Sequence, residues 1–298
     1  MNRTTYNIHS IALTALFMMG NAILAPYIYG FKSTLLSFLV SSVLALLIIA
    51  AVSKFLNFVF LPTKKHKIFF YVIAFLVGLL AIFGALDTLY SYIRFLTNIQ
   101  MPQTSLILIC IALAIPVAAL VFCSNSALYK FCLLSAIISS LAIVLIFIGG
   151  IKYFDFTLFK ANPVINQSLT SGISEFLKSF LPAICIAAFM TLTKESACTK
   201  QTIIGVSLGL FATAVCLLQS MLTLGVSANQ DFPYLKAVSV ISSGSLFTRL
   251  DGFCFWLFFV CALVKSSVCI KTVWLITKTV IPQKNRKNFS AFFDYKCQ

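Results

Sequence analysis

Charge is what this 298-residue sequence has least of: 10% of its residues are Asp, Glu, Lys or Arg, against roughly a quarter in soluble globular proteins. Acidic residues number seven and histidines two, while 60% of the chain is apolar and its mean hydropathy is +1.02. That composition excludes a soluble domain. Two histidines leave no material for a His/Cys metal site, and the ten cysteines contain no C-x-x-C pair. Cys110, Cys123, Cys132, Cys185, Cys216, Cys254, Cys261 and Cys269 fall in or beside apolar segments and read as small apolar packing residues. Nothing reads as a Walker loop, an H-E-x-x-H zinc site or a nucleophile elbow. Neither catalysis nor a metal nor a cofactor is indicated.

What is there is a basic excess of +15 spread over long apolar runs. In a soluble domain such an excess would point to nucleic acid. Here the bases stand singly between apolar stretches and form no stripe interleaved with aromatics, which fits a polytopic membrane protein with basic loops on one side. Runs near the 20 residues needed to cross about 30 Å of hydrocarbon lie at 8–29, 33–51, 68–86, 105–122, 127–151, 176–192, 203–224 and 253–276. The fold class expected is therefore an all-α polytopic membrane protein of eight helices in a single membrane domain, 1–298. The first run follows a short basic N-terminus as a signal peptide would, but no clean cleavage site follows it, and it is read as retained.

With a cytoplasmic N-terminus, eight crossings return the C-terminus to the cytoplasm. Fourteen bases then fall inside: Arg3, Lys54, Lys64, Lys65, Lys67, Lys130, Lys194, Lys200, Lys271, Lys278, Lys284, Arg286, Lys287 and Lys296. Seven fall outside: Lys32, Arg94, Lys152, Lys160, Lys178, Lys236 and Arg249. This two-to-one bias has the sign of the positive-inside rule. Outer stretches 152–175 and 227–248 are the longest connectors, and the second contains a segment, 235–241, able to form a short helix along the membrane surface.

Five features stand out within or beside the apolar runs. Gly20-Asn21-Ala22 with Pro26 weakens the first helix and predicts a break near Gly20. Pro182 interrupts the sixth run, and two interrupted helices five spans apart point to an inverted-repeat fold with ligand held between half-helices. Lys265 stands near the middle of the last run, about 21 Å along a helix from Asp251, where it should face the interior and find a partner. Asp87, about 28 Å along a helix from Ile68, reads as an interfacial or gate residue. Gly205 and Gly209 form a small-xxx-small pair suited to close helix packing.

An ordered set of motifs carries a family resemblance: Gly20-Asn21-Ala22-Ile23-Leu24-Ala25-Pro26; Phe154-Asp155; Asn162-Pro163-Val164; Phe180 with Pro182; Phe232-Pro233; and Phe247-Thr248-Arg249-Leu250-Asp251 leading to Trp256 and Val264-Lys265. Through them the chain resembles the B subunit of spore-germination receptors, the spore permease family within the amino acid/polyamine/organocation transporter superfamily. The resemblance implies a membrane subunit, in the spore inner membrane, that binds a small germinant such as an amino acid. It also implies work with an A-type membrane subunit and a C-type lipoprotein. By the same analogy the ligand would lie between the first, third, sixth and eighth helices. Gly20, Asn21, Ala22, Tyr90, Pro182 and Ala183 would line it, Lys265 and Ser266 would stand in for a coupling ion, and Asp87, Arg249 and Asp251 would form gates or structural ties.

Two departures accompany the resemblance. The Gly-Glu pair common in the family after the proline of the sixth helix is replaced by Ala183-Ile184-Cys185, and about twenty residues follow the eighth run where the family has two more helices. The fold expected is thus an incomplete five-plus-five repeat, with 8–151 as the first repeat, 176–281 as a partial second repeat and 282–298 as a basic cytoplasmic tail. A secondary amino-acid transporter of the same fold is the alternative, and a scaffold with a decayed cavity a third. The orientation is testable on its own: alkaline phosphatase fused after Gln298 is expected to be inactive in bacteria, and an active fusion would invert the assignment.

Overall fold

In a computed structural model, the described residues are 3–22, 31–60, 67–97, 103–159, 169–193, 198–224, 232–243 and 250–280. They form ten α-helices, two 3-10 turns at Ile151–Tyr153 and Phe156–Phe159, and no strand among the described residues. In chain order the helices are α1 (Arg3–Ala22), α2 (Phe31–Phe60), α3 (Lys67–Phe95), α4 (Leu106–Phe122), α5 (Asn125–Gly150), α6 (Leu169–Phe180), α7 (Ala183–Leu192), α8 (Cys198–Leu224), α9 (Pro233–Ser243) and α10 (Leu250–Val280). Each of the eight apolar runs coincides with helix over its described residues, α6 and α7 sharing one run. Six helical segments are long and apolar enough to cross a membrane: Leu35–Val59, Phe69–Phe95, Asn125–Tyr153, Gly172–Leu192, Thr199–Leu224 and Gly252–Val280.

The facing of α2 and α3 shows which solvent the sequence is written for. On α2, Ser37, Ser41, Ala45 and Ile49 recur every four residues and are buried, while Leu39, Val43 and Leu47 on another face are exposed. On α3 the inward stripe is Ala74, Val77, Ala81, Ala85 and Thr88, and the outward one includes Phe75 and Phe83, each about two-thirds exposed. Small and hydroxylated side chains inside, large apolar ones outside, reverse the water-soluble pattern. The reversal is stable only against hydrocarbon, where apolar exposure costs nothing and small interior residues let backbones approach. Ser41 uses its inward position twice, donating to the Ser37 carbonyl at 2.6 Å and standing 3.3 Å from the Ile173 carbonyl of α6.

Helix α1 is wedged between α8 and α10 by glycine contacts. A Cβ at Gly209 would lie 2.6 Å from the Ala15 carbonyl oxygen and from Met18 Cβ, and one at Gly205 would lie 2.6 Å from Thr14 Cβ. On the opposite partner, a Cβ at Gly20 would stand 2.9 Å from the Cys261 carbonyl oxygen of α10. The small-xxx-small pair of α8 therefore does pack closely, against α1. α1 is helical through Gly20 and Asn21 to Ala22, with Gly20 against the Cys261 carbonyl of α10, and the residues just beyond, on which the expected break near Gly20 also falls, lie outside the described residues. Pro26 lies outside the described residues.

The interruption of the sixth run is present at the expected residue. Residues 181 and 182 form a turn between α6 and α7, and the bonds just after it are of the tighter i−3 kind, from Ile184 N to Leu181 O at 3.1 Å and from Cys185 N to Pro182 O at 2.9 Å. Proline has no N–H to give, so the regular ladder must lose a bond here. Segment 235–241 is helical, as expected, within α9. Its Tyr234, Val238 and Ile241 are buried, and it packs on α8, α10 and α5. Just before it, Phe232 takes φ 54°, and its ring meets Phe95 edge-on at 5.2 Å between centroids. Phe95 is fully buried and is also in edge contact with Phe258 at 4.9 Å. The left-handed backbone is disfavoured for a bulky residue, and this aromatic packing offsets it.

Replacing Gly209 by Leu is expected to lower the melting temperature of detergent-purified protein, with an overpacking cost of about 1–3 kcal/mol or more. Gly78→Ala, where an added Cβ meets nothing within 4 Å, is expected to leave it unchanged or slightly higher.

Candidate functional site

The middle of α10 is where chemically capable side chains collect. Cys261, Lys265, Ser266, Ser267 and Cys269 are all buried there, Lys265 with 3% of its surface accessible. Three other helices converge on the same stretch. Gly20 of α1 abuts the Cys261 carbonyl, while Gly84 of α3 brings its Cα against both Pro182, at the α6/α7 turn, and the Cys269 sulfur. A Cβ at Gly84 would lie 3.1 Å from Pro182 Cβ and 3.4 Å from Cys269 Sγ. Lys265 is four residues from each of Cys261 and Cys269, about 6 Å along the axis in either direction. It therefore sits between the level where α1 touches α10 and the level where α3 and α7 do.

The groups that act electrostatically on the Lys265 amine are Cys269, Asp87 and Cys185. Asp87 is exposed on α3, and its neighbour Thr88 turns inward and donates to the Gly84 carbonyl at 2.6 Å. Cys185 on α7 and Cys269 on α10 are fully buried. The Oγ atoms of Ser266 and Ser267 are buried with no hydrogen-bond partner. This is unusual in the interior of the same helix, where Thr272 donates to the Val268 carbonyl at 2.7 Å. Unmade bonds of this kind are costly in hydrocarbon, and the same state recurs at buried Ser42, Ser53 and Ser139.

Of the residues expected at a ligand site, Gly20, Pro182, Ala183, Lys265 and Ser266 are drawn toward this junction, all of them buried. Tyr90 is not: its side chain is 67% exposed on the outside of α3. Asn21 and Ala22 are helical, but their side chains lie outside the described residues, as does that of Asp251, which is the second residue of α10. Arg249 falls outside the described residues altogether. Asp155, part of one motif, is solvent-exposed and accepts from both the backbone N–H and the hydroxyl of Thr157, at 2.9 and 2.6 Å. Those two donors hold its carboxyl below the usual carboxylate range.

Lys271 was counted above among the inner loop residues, and the structure corrects that. It is 4% exposed within the last crossing segment, and its Nζ donates to the Cys123 carbonyl at 2.7 Å. Cys123 caps the C-terminus of α4, so the cation meets both an orphan carbonyl and the negative end of a helix dipole. Sequence spacing hid this because a lysine five residues before the end of an apolar run is indistinguishable from one that snorkels. The letters Gly205-Val206-Ser207-Leu208-Gly209 spell G-x-S-x-G, but they run through the interior of α8 and Ser207 donates to the Ile203 carbonyl at 2.9 Å, so no elbow forms.

Fold and site together define an all-α, membrane-embedded protein with buried cationic and thiol groups in its last helix. No protein-family model matches the chain, and no curated protein matches it significantly.

Lys271→Met is expected to destabilise by about 1.5–3 kcal/mol, the range for a hydrogen bond to a charged group, seen as a lower melting temperature. An unchanged value would show that the bond to Cys123 contributes nothing net.

Proposed function

We propose that the chain is the membrane subunit of a germinant receptor, in which a small germinant such as an amino acid binds beside Lys265 and its binding is passed to A-type and C-type partner subunits. The observation that carries the reading is the convergence of α1, α3 and the interrupted α6–α7 segment on α10 around one buried lysine. A fixed ammonium at that place does what a coupling ion does in transporters that depend on one, so ligand binding need not be driven by an ion gradient. Within this reading the chain crosses the membrane eight times as an incomplete five-plus-five inverted repeat, with both termini cytoplasmic. Interrupted helices supply half-helix ends to a ligand at mid-membrane, and the Pro182 turn is the described interruption that serves here.

The alternative is a secondary amino-acid transporter, favoured by the same interruption at Pro182. The two readings part on turnover: a receptor releases ligand to the side it came from, while a transporter accumulates it. Spores carrying Lys265→Met are expected to lose the germination response to amino acids while the protein stays at normal levels in the spore membrane. A full response at normal levels would overturn the proposal, and gradient-driven accumulation of labelled amino acids in proteoliposomes would replace it with the transporter.

A further inference from the structure

We infer that the groove between α1, α5 and α8 holds the acyl chains of one anionic membrane phospholipid, with its headgroup drawn to Lys130 and Lys200. The groove encloses about 690 Å³. Leu16 and Met19 of α1 form its buried floor, while Ile137 and Val144 of α5 and Phe211 of α8 stand at its rim, each more than half exposed. Ser140 is the only lining residue with a polar side chain, and its hydroxyl is already donated to the Ile137 carbonyl at 2.8 Å. A polar ligand would lose its hydrogen bonds to water here and gain none, so hydrocarbon is what the walls match.

The three helices run in the same direction. Asn7 accepts from the Gln201 amide, Thr14 lies against Gly205, and Ala15 and Met18 lie against Gly209, so α1 and α8 advance together. Gln219 Nε2 donates to the Ile146 carbonyl at 2.9 Å, and the lining strips 136–147 and 208–218 both run from that tie toward the N-termini of their helices, so α5 keeps the same sense. Lys130 is then about 24 Å from the tie along α5 and Lys200 about 28 Å from it along α8. Both lysines are exposed, and they stand near one level, just past one end of the groove. Helical spacing also puts them on the groove's own walls. Lys130 is seven residues from Ile137 and fourteen from Val144, and Lys200 is eleven from Phe211 and eighteen from Leu218, all close to whole numbers of turns.

Shape and charge choose the occupant. The lining strips are about 16 Å long, so the enclosed volume corresponds to a channel about 7 Å across. That is narrower than an α-helix with its side chains, about 10–12 Å, which excludes a transmembrane helix lying inside it and suits extended acyl chains. Two lysines at one level favour a negative headgroup, by the attraction that draws basic clusters to anionic lipids.

Full-length protein in detergent, stripped of co-purified lipid, would be supplied with dioleoylphosphatidylglycerol or dioleoylphosphatidylcholine and followed by native mass spectrometry. One phosphatidylglycerol per chain is expected to survive detergent removal, held about tenfold or more tightly than phosphatidylcholine. Lys130→Gln together with Lys200→Gln should erase that preference. Ser140→Trp, which fills the groove from an exposed position on α5, should abolish retention of either lipid. Leu134→Trp, 61% exposed and not among the lining residues, and Lys152→Gln, past the far end of α5, should change nothing. Equal retention of the two lipids, several lipids held alike, or a Ser140→Trp variant that binds as wild type does would overturn the inference. So would a dimer that Ser140→Trp dissolves, since a second copy would then cover the groove. The result is separate from any germinant response, because its readout is lipid on the purified chain.

Discussion

Backbone-to-backbone approach through glycine is the contact on which the arrangement depends. Inside a bilayer no hydrophobic force drives helices together, because lipid tails are as apolar as leucine. Helices associate where surfaces fit closely enough to gain dispersion energy, and on α1 that fit is made by Gly205 and Gly209 of α8 on one side and by Gly20 against Cys261 on the other. Because α1 is gripped by both neighbours, the separation of α8 and α10 is set by the thickness of one helix. Gly84 performs the same service for α3 against α7 and α10.

These contacts make α10 the centre of the molecule. It touches α1, α3, α4, α5, α7 and α9, so a residue near its middle has protein on nearly every side. That position explains how Lys265 and Lys271, two residues that lipid would reject, are held in one helix. Lys271 is stabilised by the carbonyl end of α4, a static tie with an evident structural purpose. Lys265 stands instead among thiols and unpartnered serine hydroxyls, an environment that packing alone does not require. The difference between the two lysines is the physical reason for placing function at one and stability at the other.

Much of the architecture could be read along the chain. All eight apolar runs are helical over their described residues, the sixth is interrupted at Pro182, and 235–241 is helical. Less legible was what depends on a neighbour distant in sequence. Gly20 lowers helix propensity, yet it is helical and its open side is taken up by the Cys261 carbonyl. Tyr90 was read as lining a site, and its exposed position on α3 is a matter of helix facing, which a uniformly apolar run does not encode.

The sequence by itself determined the solvent, the helical state of its apolar runs, the interruption at Pro182 and the presence of a lysine deep in the run 253–276. Composition, length and the special chemistry of proline are local properties, so they survive without knowledge of any contact. Only the tertiary structure decided which residues meet: that Gly20 and Gly84 approach α10 on either side of Lys265, and that Lys271 reaches Cys123. In runs so evenly apolar, hydrophobic periodicity carries almost no information about facing. The choice falls to shape, to where a missing Cβ lets one backbone reach another.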